Sequence, residues 1–192
     1  GDVDVPLLRW LRHGAPAGIG EDIEKVGIFP PSDAEPDREF FMRDFDSEHL
    51  NYQSMEDSPH GYEVLKDLVD RGYVKEFSSR TAAKKFLNGC DPILSKLALI
   101  SVLKDGNWKH RLVLDCRVSG ANSATSKYER IILPRIWDVI RDTLNLKAAK
   151  RENENIYYFV CDFQDAFYKT PLLPQERRYF AVLYKGNIYI WL

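Results

Sequence analysis

Residues 156–168 read IYYFVCDFQDAFY, from Ile156 through Asp162 to Tyr168. The run Ile156, Tyr157, Tyr158, Phe159, Val160 and Cys161 is rich in β-branched and aromatic side chains and predicts a strand buried on both faces. Asp162 follows at once and so stands at the strand's end. A carboxylate in such a place needs a proton, a charged partner or a metal ion. Residues 163–168 then turn the chain. Asp165 and Ala166 are small enough for their backbone N–H groups to face a ligand, and the bulky Phe167 comes directly after. That layout suits a polyphosphate beside a metal-bound carboxylate; an Asp there can equally cap the next turn.

Upstream, Ile132-Leu133-Pro134 opens a predicted helix whose Ile136, Trp137, Ile140 and Leu144 form an apolar stripe suited to packing on a sheet. Residues 147–155 (KAAKRENEN) are a charged loop. Downstream, residues 179–184 and 188–192 read as strands joined by a turn at Lys185-Gly186-Asn187, with Tyr189 and Trp191 expected in a sheet core. Further back, residues 97–103 and 108–114 are strand-like runs joined by Lys104-Asp105-Gly106-Asn107. Asp-Gly between apolar runs is a strong hairpin signal, and this hairpin has a basic tip. Val64, Leu65, Leu68 and Val69 share one helix face that Gly72 is placed to cap. A short extended piece over residues 73–77 and a short helix over 81–87, closed by Asn88-Gly89, follow. Before residue 60 there is little periodic apolar pattern beyond Leu7, Leu8, Trp10 and Leu11, which fit one short amphipathic turn; the rest reads as a linker or an extended segment lying over the domain.

Asp162, Ala166, Phe167, Pro171 and Leu172 together resemble motif A of reverse transcriptases of the retroviral and LTR-retrotransposon type: an apolar strand, a metal-binding Asp, three variable residues, Ala, an aromatic, and soon Pro-Leu. The resemblance continues through Arg177, Arg178, Tyr179 and Ala181 to Gly186-x-x-Tyr189-x-Trp191. The basic hairpin is similar to that family's fingers hairpin, followed by Leu114, Asp115 and Arg117 in a Leu-Asp-x-Arg run. Two departures stand out: Lys109 and His110 separate Trp108 from Arg111, and the segment from Arg117 to Asn122 is longer than the common pattern.

The resemblance covers residues 62–192 and implies an α+β fold, the fingers and first part of the palm, behind an acidic, weakly structured leader over residues 1–61. It implies RNA-directed DNA polymerase activity by two-metal nucleotidyl transfer, with Mg2+ (or Mn2+) as cofactor. Asp162 is then the metal-binding catalytic carboxylate. Lys104, Arg111 and the backbone of Asp165 and Ala166 are then dNTP contacts, Phe167 excludes a 2′-hydroxyl, and Asp115 and Arg117 contact the template. Its implied partners are an RNA or DNA template with primer, dNTPs, and the remainder of a polymerase polyprotein. The family draws two more Asp residues from a later Tyr-x-Asp-Asp turn, and the sequence holds no Asp-Asp pair. A non-catalytic, decayed or repurposed nucleic-acid-binding protein is the alternative.

The 192 residues are 44% hydrophobic, enough for one large or two small domains. No apolar run reaches the ~18 residues of a membrane span, so a soluble, intracellular protein is expected. Gly1 at the start and an apolar strand pattern at the end predict a fragment. Cys90, Cys116 and Cys161 lack metal-site or disulfide spacing and are expected to be reduced and semi-buried. The formal net charge of −2 hides an asymmetry: residues 1–62 hold 5 Lys and Arg against 14 Asp and Glu, residues 63–150 hold 17 against 10, and residues 151–192 hold 5 against 5. A basic middle behind an acidic leader fits a surface that tracks a phosphate backbone, or simply a solvated Lys/Arg face.

Overall fold

A computed structural model describes residues 5–37 and 51–192; residues 1–4 and 38–50, part of the acidic leader, lie outside the described residues. In chain order the elements are α1 (Val5–His13), α2 (Gln53–Glu56), α3 (Pro59–Asp70), β1 (Val74–Phe77), α4 (Arg80–Phe86), β2 (Leu94–Lys104), β3 (Asn107–Asp115), α5 (Ala121–Ala124), α6 (Ile136–Ala149), α7 (Ala166–Lys169), β4 (Ala181–Tyr184) and β5 (Asn187–Trp191). The fold is α+β, built on one five-stranded sheet of order β1-β5-β4-β2-β3.

Local chemistry explains most of these elements. Ser58 caps α3 by accepting from the His60 N–H at 3.2 Å, and Pro59 sits in its first turn. Gly72, with φ of +77°, ends the helix in a left-handed turn that lets Tyr73 N–H donate to the Leu68 carbonyl at 3.0 Å. Asp105-Gly106 and Lys185-Gly186 both hold positive φ at the two central positions, the two-residue turn that matches strand twist. The first joins β2 to β3, the second β4 to β5. β2 also runs parallel to β4 through Leu94–Ala181 and Ser95–Val182.

Alternation along the strands places a core on each face of the sheet. On one face Val182, Tyr184 and Tyr189 pack with Leu97, Leu99 and Val74 under Met55, Leu65 and Leu68 of α2 and α3. On the other, Ala181, Ile188 and Ile190 pack against Ala83 and Leu87 at α4. Tyr189 is therefore sheet core, and its hydroxyl donates to Glu76 at 2.8 Å.

Three expectations are corrected. Residues 156–161 are not a buried strand. They run without regular structure, and Phe159 and Val160 are 91% and 90% exposed. Local propensity favoured a strand, but no described strand pairs with this stretch, and a lone strand leaves its N–H and C=O groups to water. Asp162 accordingly stands exposed in an irregular segment rather than at the end of a buried strand. Helix α6 forms where predicted, yet none of its residues is buried, so its apolar stripe does not pack on the sheet. β5, by contrast, lies inside the sheet with β1 on one side and β4 on the other.

The cysteines are free; Cys116 is buried, while Cys90 and Cys161 are exposed rather than semi-buried. No described helix is long and apolar enough to cross a membrane.

Candidate functional site

The C-terminal half of α3, the middle of β3 and residues 162–168 line a cavity of about 550 Å3. Arg111, Asp162, Asp165, Ala166 and Phe167 all line it, so five residues singled out in the sequence meet in one place. The chain achieves this because α3 packs on the same sheet face that β3 extends, and residues 162–168 cross the gap between them.

Asp165 adopts the left-handed conformation, φ +57° and ψ +32°, and its carbonyl accepts from the N–H groups of Tyr168 and Lys169 at 2.9 and 3.1 Å. Asp is among the few side chains that tolerate this region, because its carboxylate can find a local partner. In this turn the Asp165 carboxylate is held instead by a distant residue, ion-pairing with the Arg71 guanidinium. Arg71 also reaches Asp67 at 3.3 Å and lies over the Tyr73 ring, 4.9 Å from its centroid. Tyr73 in turn stacks on Tyr168 with centroids 5.2 Å apart, and burial raises the Tyr168 hydroxyl's pKa. The turn that presents Ala166 and Phe167 is thus anchored to the end of α3 by one ion pair and to Tyr73, just beyond it, by one ring stack.

Arg111 and Asp162 differ from this anchored set. Among the described residues neither has an ion-pair or hydrogen-bond partner through its side chain. A guanidinium with five free donors and a carboxylate with four free acceptor positions therefore face the same cavity. Phe167 stands at the rim, 95% exposed.

Lys104 is not brought in. It lies at the far end of the hairpin, paired with Asn107, whereas Arg111 pairs with Ile100. Four strand residues separate those positions, roughly 13 Å at the strand rise.

Asp115 and Arg117 belong to a different cavity of about 500 Å3, shared with Tyr52, Ser54 and Asn122. There Arg117 donates from Nε to the buried Asp115 carboxylate at 3.0 Å, and the Tyr52 hydroxyl donates at 2.6 Å. Those hydrogen bonds, from Arg117 first and Tyr52 second, hold the Asp115 carboxyl well below the usual carboxylate range. The same contact raises the Tyr52 hydroxyl. The Arg117 side chain is largely exposed, so the pair presents a fixed guanidinium to solvent.

Sequence reasoning missed Arg71, Asp67 and His110 as residues of the first cavity. The only signal was the four-residue spacing of Asp67 and Arg71 on a helix face, which by itself reads as a solvated pair. No group of three or more His, Cys, Asp or Glu suited to a metal ion occurs among the described residues. A scan against protein-family models and searches of curated proteins and of solved structures return no match.

Proposed function

We propose that this chain is the fingers and first part of the palm of an RNA-directed DNA polymerase of the reverse-transcriptase type, and that the cavity around Arg111 and Asp162 receives the incoming dNTP. The reading rests on one observation: Arg111, Asp162, Asp165, Ala166 and Phe167, drawn from two distant parts of the chain, line one cavity. In this reading Arg111 binds the triphosphate through charge-assisted hydrogen bonds. The backbone of Asp165 and Ala166 approaches it from the other wall, and Phe167 bars a 2′-hydroxyl by its bulk.

Two-metal chemistry requires more carboxylates than the described residues offer. Of the three carboxylates that line the cavity, Asp67 and Asp165 are engaged by Arg71, and the remaining one, Asp162, is too few for a pair of divalent ions. The residues present bind and orient a nucleotide; they do not by themselves complete a transfer site.

The deciding experiment is binding of a fluorescent dNTP to the full chain in Mg2+. Wild type should bind, Arg111→Ala should weaken binding by about tenfold or more, and Asp115→Asn should leave it unchanged. Equal binding by wild type and Arg111→Ala, or no binding by either, sinks the assignment.

A second reading, a non-catalytic nucleic-acid-binding protein, is favoured by the exposed hairpin that carries Lys104, Trp108, Lys109 and Arg111 on its two strands. Strand alternation puts Lys104, Lys109 and Arg111 on one face of the hairpin, a row of cations suited to a phosphate backbone, with Trp108 exposed on the other face.

A further inference from the structure

Residues 14–32 are fastened across the fold by two carboxylates. Glu176 has no solvent exposure, and its side chain accepts the backbone N–H groups of Ala17, Ile19, Gly20 and Glu21, the last three at 3.0, 2.7 and 3.1 Å. Glu129 accepts Val26 and Gly27 N–H, both at 2.7 Å. Gly18 and Gly27 each hold φ of +77°, which lets neighbouring N–H groups converge into a concavity of the kind that binds anions. Here the anion is the protein's own. Backbone bonds complete the seam: Ala15 N–H to the Pro171 carbonyl at 2.6 Å, Leu173 N–H to the Ala15 carbonyl at 3.0 Å, and Ser126 N–H to the Gly18 carbonyl at 2.6 Å.

Pro171 and Leu173 directly follow α7, whose first residues line the Arg111 cavity. We propose that residues 14–32 form a strap locked by the Glu176 carboxylate, and that this lock sets the position of residues 166–173 and with it the shape of the cavity. The lock is strong because a buried carboxylate that loses its charge leaves several aligned donors without a full acceptor, whereas a solvated ion pair loses little when broken. It is also separable from the sheet, since no described strand takes its ladder bonds from residues 14–32. The proposal does not depend on what the cavity binds.

The test is amide hydrogen exchange on the full chain, wild type against Glu176→Gln. The informative amides are those of Tyr168, Lys169 and Leu172, which bond to the carbonyls of Asp165 and Leu192 and not to the strap. Exchange at residues 17–21 and at those three amides should quicken by about tenfold or more, while β4 and β5 keep their protection. Freed strap amides with Tyr168, Lys169 and Leu172 still protected would overturn the proposal, as would undiminished protection at residues 17–21. Should Glu176→Gln quicken exchange throughout β4 and β5, Gly18→Ala decides: a Cβ there meets the Ser126 carbonyl at 2.9 Å and forces a strained positive φ, lifting the strap with Glu176 intact. The same two outcomes then apply. Global loss of protection in both variants counts against a separable strap.

Discussion

The guanidinium of Arg71, at the end of α3, holds the carboxylate of Asp165, 94 residues further along the chain. This contact anchors the left-handed turn from which Ala166 and Phe167 reach the cavity. Because both partners are partly exposed, its worth to stability is modest, about 1 kcal/mol or less, and screened by salt. Arg71→Ala should lower the urea midpoint slightly at low ionic strength, and the gap to wild type should close in 1 M NaCl. A gap of several kcal/mol that ignores salt contradicts the assignment.

Asp115 gives a pH dependence with a definite sign. Its carboxyl is depressed in the folded chain by Arg117 and Tyr52, so the stability it contributes is complete above the unfolded carboxylate pKa of ~3.9 and is lost as pH falls towards its lower folded value. Tyr52→Phe removes the Tyr52 donor and leaves the two from Arg117. The variant should be less stable than wild type at pH 7 and begin acid unfolding at higher pH. Superimposable acid-unfolding curves would show that the Tyr52 hydroxyl does nothing for Asp115.

Phe159 and Val160 are almost wholly exposed, whereas Leu65 is fully buried. Leu65→Ala should therefore cost about 2–5 kcal/mol, while Phe159→Asp with Val160→Asp should leave the thermal midpoint within a degree or two. The double variant should also remain monomeric at concentrations where wild type scatters light, since an exposed apolar run with unpaired backbone favours association. A large fall in its thermal midpoint would mean that the run is buried after all.

The hairpin's cations predict a salt-dependent affinity. The chain should bind single-stranded nucleic acid without sequence preference, more weakly as salt rises, and Lys104→Ala with Lys109→Ala should flatten the salt slope by about one to two ions. Filter binding across a salt series measures both. An unchanged slope moves the interaction off the hairpin.

Features set by neighbours in sequence were legible before the structure. Asp105-Gly106 announced the β2–β3 hairpin, Lys185-Gly186 the β4–β5 turn, and Gly72 the end of α3, because turn and cap chemistry is carried by the residues that make it. Arg111 shares a cavity with Asp162, Asp165, Ala166 and Phe167, whereas Lys104, grouped with them by the resemblance, stays at the far end of the hairpin. What stayed hidden depends on distant partners. Ile156 to Cys161 have strand propensity but no described strand to pair with, so propensity alone misled. Arg71 looked like half of a helix-surface pair until Asp165 arrived from elsewhere, and nothing in Glu176 announces four backbone donors from residues 17–21.

The sheet order carries a consequence for how the chain acquires its shape. β2–β3 and β4–β5 close through two-residue turns, so each can zip up locally, whereas Val74 of β1 must find Trp191 of β5 across most of the chain. Loop-closure entropy makes such a pairing late and slow. During synthesis β1 waits with both edges unpaired until β5 emerges, and only then is the sheet continuous from β1 to β3. Refolding should accordingly show two phases: a fast one in which the hairpins gain amide protection, and a slower one in which β1 and the β1-facing amides of β5 gain it together.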